Sequence, residues 1–200
     1  MAVLEKYEWS DLWCEDANEA GERILLMGDS ITRGYYDFVK ENFAGTYHVD
    51  KLATSAATDN PALAMQLDCF LQQFDYTLIH LSNGLHGAHI GIDDYTAGME
   101  QLILHIRQAA PRTKLVLALL TPVMQEGTLD VPAAFNRAVE QRNDALRALA
   151  EKYALPLDDL YAAAKDKPEI RLTDGFHYEP EGYRLLAGVV TEQLRQALEV

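Results

Sequence analysis

Arg23-Ile24-Leu25-Leu26-Met27-Gly28-Asp29-Ser30 runs from an unbroken apolar stretch into a glycine and two polar residues. Ile24 to Met27 offer no polar face, so the stretch reads as a strand buried on both sides, as in a parallel sheet, and Gly28 ends it. Outward from this strand the same alternation repeats. A helix is predicted over about residues 34–42, a weaker strand over 47–53, a helix over 61–74 with Pro61 in its first turn, and a third strand over 76–81. Asp93 or Asp94 then caps a helix whose apolar stripe is Tyr95, Met99, Leu102, Ile103 and Ile106. Residues 114–120 form a fourth, continuously apolar strand. Pro132 opens a helix reaching about Tyr153, residues 155–157 make a short fifth strand, and a last helix covers about 180–198. Five strand–helix alternations predict an α/β fold, a three-layer α/β/α sandwich on a five-stranded parallel sheet. Right-handed crossovers leave few topologies, and the order 2-1-3-4-5 is expected. No linker, repeat or low-complexity tract interrupts residues 1–200, which read as a single domain.

Composition narrows the function. The chain has 17 basic and 31 acidic residues, a net charge of −14. Such a surface repels phosphate backbones and anionic headgroups, so neither nucleic acid nor a membrane surface is an expected partner; a neutral small molecule is. No apolar run approaches the ~20 residues that cross a bilayer. Residues 1–21 carry Glu5, Glu8, Asp11, Glu15, Asp16 and Glu19 and lack the basic start and apolar core of a secretory signal. Cys14 and Cys69 are too few for a disulfide framework. The expectation is a cytoplasmic protein with reduced thiols, although a chain relieved of its leader would read the same way. Oligomeric state leaves no trace in the sequence.

In an open parallel sheet, ligands bind beyond the carboxyl ends of the strands, near the switch point. The polar residues at those ends are Gly28-Asp29-Ser30, Thr54-Ser55-Ala56-Ala57, Ser82-Asn83-Gly84-Leu85-His86, Thr121-Pro122 and Asp174-Gly175-Phe176-His177. A nucleophile, an amide, a base and a carboxylate thus share one rim. Asp174 stands three residues before His177, within reach of one imidazole nitrogen while the other faces a nucleophile. Strand five would lie roughly 14 Å from strand one, and residues 161–177 are long enough to return across that gap.

With Gly28-Asp29-Ser30-Ile31 after strand one, Asn83 after strand three and Asp174-x-x-His177 before the last helix, the chain resembles the SGNH (GDSL-type) hydrolase superfamily over about residues 23–198. The resemblance implies a flavodoxin-like fold and an esterase, lipase, thioesterase or carbohydrate-deacetylase activity. Carried over by position, it makes Ser30 the nucleophile, His177 the base and Asp174 its partner. Ser30 N–H, Asn83 and residue 56 would form the oxyanion hole. Two departures stand out. Ala56 occupies the place of the usual glycine after strand two, and around Asn83 the usual preceding glycine and following aspartate are Leu81 and Gly84. The Asn-Gly-Leu-His element at 83–86 therefore resembles a distinct branch. Position 32 is Thr32, so this is not the Gly-x-Ser-x-Gly elbow.

Each residue also has a plainer reading. Ser30 alone would be a helix N-cap, Asp174 and Asn83 turn residues beside glycines, and Asp29 a brace for its loop. His80, inside a strand, reads as a core histidine. His86 and His89 with Asp93 have too little spacing information for a metal site, and none is expected; His86 is instead a candidate substrate contact on the rim. Arg142, on the apolar side of its helix, is expected to snorkel or pair with Asp158 or Asp159. Trp9, Trp13, Tyr35 and Tyr36 lie near the expected mouth as core or substrate contacts. The leading expectation is serine-dependent hydrolysis of small carboxylic esters through an acyl-enzyme, without a cofactor. No lid or tunnel segment is visible, so short acyl groups, such as acetyl on a carbohydrate, are preferred. A non-catalytic module that kept the fold is the alternative.

Overall fold

The structure, a computed structural model, describes residues 3–199. In chain order the elements are β1 (Ser10–Trp13), β2 (Arg23–Gly28), α1 (Ser30–Phe43), β3 (His48–Thr54), α2 (Ala62–Leu71), β4 (Leu78–Leu81), α3 (Ile92–Ala109) and β5 (Lys114–Ala118). A hairpin of β6 (Met124–Gln125) and β7 (Thr128–Pro132) follows, then α4 (Asn136–Tyr153), β8 (Leu157–Asp158), α5 (Leu160–Ala164) and α6 (Pro180–Glu199).

The central sheet runs β1-β3-β2-β4-β5-β8. The strands from β3 to β8 are parallel, and registers such as Gly28 beside Ala53 and Met27 beside Leu81 bring their carboxyl ends to one rim. Strand alternation sends successive side chains to opposite faces, and here both faces are covered. Leu25, Met27, Ile79 and Leu117 pack with Leu67, Met99, Ile103 and Leu146 from α2, α3 and α4. Ile24, Leu26, Val116 and Ala118 pack with Tyr35, Val39, Leu186 and Val190 from α1 and α6. Each Leu, Ile, Val or Met among them, fully buried, stabilises the fold by on the order of 1.5–3 kcal/mol relative to exposure.

The sheet has six strands and is mixed, not five and wholly parallel. The extra strand, β1, pairs antiparallel along the β3 edge, with Leu12 opposite Leu52. It is short, mostly exposed and anchored by an Asp11–Lys51 ion pair of 2.7 Å, so it lacks the buried apolar run that marks the other strands. Two helix starts also differ. The first helix begins at Ser30 rather than 34, because the Asp29 side chain caps it by accepting from Ile31 N–H. The helix expected from Pro132 begins at Asn136; Pro132 instead ends β7, whose hairpin turns at Gly127 (φ +72°).

Candidate active site

The rim of the sheet collects the polar loops. Ser30 is the first residue of α1, directly after β2, where the backbone N–H has no acceptor within the helix. Asp174 and His177 lie in the turn before α6. That turn reverses at Gly175 (φ +78°), where a Cβ would run into the Met124 carbonyl. The Met124 N–H donates to Gly175 O and the Gly127 N–H to Thr173 O, both at 2.9 Å. The β6–β7 hairpin therefore props the turn from outside.

This support brings together residues distant in sequence. His177 Nε2 lies 2.8 Å from Ser30 Oγ, and His177 Nδ1 lies 2.7 Å from Asp174 Oδ2. Asp174 Oδ1 accepts the N–H groups of Phe176 and His177, each at 2.9 Å. Partial burial pushes the Asp174 carboxyl upward, but these donors and the imidazole outweigh it and hold it below the ordinary carboxylate range. A carboxylate that stays ionised fixes the imidazole with Nδ1 as donor and Nε2 free to accept.

Ala56 follows β3 and Asn83 follows β4, the two strands that flank β2. Asn83 is buried; its Nδ2 donates to Ala56 O at 3.0 Å, which orients the amide and leaves it one further N–H. The Ala56 N–H is already engaged, donating to Thr54 Oγ1 at 3.1 Å. Asp29 is buried as well, with Oδ2 unpartnered. Burial drives its carboxyl above the ordinary range, against the pull of nearby His86 and His177.

The chain before β1 forms a wall of this rim. Glu5 accepts from the Gly87 N–H at 3.0 Å and pairs with His86 Nδ1 at 2.9 Å. Trp9 meets the His86 ring edge-on, with centroids 6.0 Å apart, and the Arg33 guanidinium lies 4.7 Å from the Trp9 ring. Of the four aromatics read as candidates, Trp9 is the one at the rim; Tyr35 and Tyr36 are core residues and Trp13 is exposed on β1. His80 is buried against Asp158 at 3.0 Å. His89 pairs with Asp59, not with His86, and among the described residues no three His, Cys, Asp or Glu side chains are grouped to hold a metal ion.

Arg142 corrects an expectation. Asp158 is taken by His80 and Asp159 by Arg147, while Arg142 is buried and donates to the carbonyls of Gly84, His86, Gly87 and Ile90. An arginine at an apolar helix position is the sole sequence trace of this arrangement, since carbonyl acceptors have no residue signature.

A cavity of about 180 Å³ borders Ala56, lined by Glu8, Trp9, Thr54, Asn60 and Gln66. A wider one, about 790 Å³, opens among Lys114, Leu155, Pro156 and Gln196. It lies at the opposite ends of the strands, away from Ser30. No helix among the described residues is long and apolar enough to cross a membrane.

The model of the GDSL-like lipase/acylhydrolase family matches residues 26–185. A GDSL esterase/lipase of Arabidopsis thaliana is 24% identical over 186 residues, covering 88% of this chain and 70% of that protein. Among solved structures, an aryl esterase of M. smegmatis superposes with a TM-score of 0.73 at 17% identity, covering 88% of this chain and 99% of that one. A mutant acetyl-xylooligosaccharide esterase from Geobacillus superposes with a TM-score of 0.71 at 16% identity, covering 88% and 94%. At such identities the two structures speak to the fold: a mostly parallel sheet flanked by helices.

Proposed function

The chain belongs to the GDSL-like lipase/acylhydrolase family and is a carboxylic-ester hydrolase, and from that premise we propose that it works through an acyl-enzyme on Ser30. The observation that carries the proposal is the unbroken hydrogen-bond chain from Ser30 Oγ through the His177 ring to Asp174. Ser30 Oγ attacks the ester carbonyl while His177 Nε2 takes its proton; Asp174 stabilises the imidazolium that results. The tetrahedral oxyanion is met by the Ser30 N–H at the start of α1 and by the remaining N–H of the Asn83 amide. The Ala56 N–H is a third donor, recruited if it exchanges Thr54 Oγ1 for the oxyanion. Collapse returns the proton from His177 to the leaving alcohol, and water activated by the same imidazole releases the acid. A binding module would have no need of a hydroxyl, imidazole and carboxylate linked in this order.

The substrates in this reading are esters of short acyl groups, acetyl on a carbohydrate foremost. Trp9 and the Glu5–His86 pair offer an aromatic edge and polar groups to a hydroxylated alcohol. The Geobacillus relative, named for acetyl-xylooligosaccharides, lends the same direction.

Replacing Ser30 with alanine is expected to lower kcat on p-nitrophenyl acetate by about a thousandfold or more. It should also abolish covalent labelling by a fluorophosphonate, with the thermal melt retained. A folded Ser30→Ala protein that keeps most of its turnover would overturn the mechanism.

A further inference from the structure

We propose that Arg142 is a positioning residue for the oxyanion side of the site, acting through the loop after β4 to set the Asn83 amide. The inference rests on the ester-hydrolysis reading above and adds a residue outside the Ser30–His177–Asp174 chain.

Arg142 projects from α4 and is 2% exposed. Among the described residues no carboxylate pairs with it. Its charge is met instead by carbonyl dipoles. Nη1 donates to Gly84 O at 2.6 Å and His86 O at 3.0 Å, and Nη2 to Gly87 O at 2.7 Å and Ile90 O at 3.1 Å. A buried cation is costly unless its donors are satisfied. All four acceptors come from residues 84–90, so the planar fork of the guanidinium dictates the course of that loop.

Asn83 is held from the same direction. The Tyr95 ring lies 4.8 Å from the guanidinium, and its hydroxyl donates to Asn83 O at 2.6 Å. Successive carbonyls, of Asn83 and Gly84, are thus fixed by two groups that stack on each other. Gly84 adopts φ +140°, where any Cβ would crowd Tyr95 and Leu120. The backbone takes a conformation open to glycine in order to present its carbonyl to Arg142. At the other end, Asn83 Nδ2 is tied to Ala56 O. Backbone and amide are both constrained, and the free N–H has one direction left. This accounts for Gly84 in a position where the superfamily pattern usually carries aspartate.

A role confined to stability would lower the melting temperature and leave turnover intact below it. Positioning predicts a different pattern. In steady-state assays on p-nitrophenyl acetate, Arg142→Lys keeps the charge but loses the fork, and kcat is expected to fall roughly tenfold to a hundredfold with KM within about twofold. Tyr95→Phe, which removes the hydroxyl and keeps the ring, should fall in the same direction by a smaller factor. On an Asn83→Ala background, Arg142→Lys should cost less than about twofold more, because its effect travels through the missing amide. An undiminished loss on that background, or wild-type kcat with only a lowered melt, would overturn the proposal. Should Arg142→Lys fail to fold, Tyr95→Phe combined with Asn83→Ala makes the same comparison and decides it by the same criterion. Turnover that survives Ser30→Ala would instead count against the acyl-enzyme mechanism, a separate outcome.

Discussion

Asp29 sits beside the proposed nucleophile and behaves unlike the other carboxylates of the rim. Its Oδ1 caps α1, but Oδ2 is buried without a partner, and burial raises its carboxyl above the ordinary range. The folded protein therefore holds this proton to higher pH than the unfolded chain does. The resulting stabilisation is complete at acid pH and is lost as pH rises through the folded-state value. Asp29→Asn keeps an acceptor for the Ile31 N–H and does not titrate. Its melting temperature relative to wild type should climb as pH rises from about 4, where an ordinary aspartate titrates; a gap that stays constant would contradict a raised carboxyl. Asp174 carries the opposite sign, since its depressed value stabilises the fold above the ordinary carboxylate range and is lost as acid titrates it. At this scale Ser30, Asp174 and His177 could be singled out through the family resemblance of their motifs taken together; alone, Ser30 reads as a helix N-cap, and only the spacing of Asp174 and His177 reflects local geometry. Arg142 was not: its partners are backbone oxygens of a loop more than fifty residues upstream.

Elements were legible in proportion to their burial. β2, β4 and β5 announce themselves as apolar runs, because both faces of each are covered. β1 shows mainly exposed positions and exists through pairing with β3, a tertiary fact. The β6–β7 hairpin was hidden by Pro132, which reads equally well as a helix start. In the proposed mechanism that hairpin matters, because it braces the Asp174–His177 turn at Gly175. Gly175→Ala combines a positive φ with a Cβ that meets the Met124 carbonyl. It should destabilise the fold by about 1–3 kcal/mol and, by shifting His177, lower kcat by roughly tenfold or more. Gly127→Ala is the informative comparison. Its φ is similar at +72°, with nothing near the added Cβ, so both losses should be smaller. Equal effects of the two variants on kcat would refute the bracing role.

Over the whole molecule the charge of −14 shapes which esters arrive. Long-range repulsion slows the approach of anionic substrates and is screened as salt shortens the Debye length from ~30 Å at 0.01 M to ~10 Å at 0.1 M. kcat/KM for an ester bearing a free carboxylate should rise severalfold over that interval, while p-nitrophenyl acetate changes by less than about twofold. Parallel salt responses for the two substrates would show that the surface field does not reach the rim.

The contact between Ser30 and His177 bridges 147 positions of the chain, and it has a consequence for the order in which the protein matures. β2, α1 and β3 are made early, while the base arrives with the approach to α6, which packs against α1. A nascent polypeptide still tethered before that point carries Ser30 without the imidazole that the proposed mechanism assigns to it. In the proposed mechanism, competence for hydrolysis thus waits until residue 177 and its turn have been made and docked, and the hydroxyl stays idle until then.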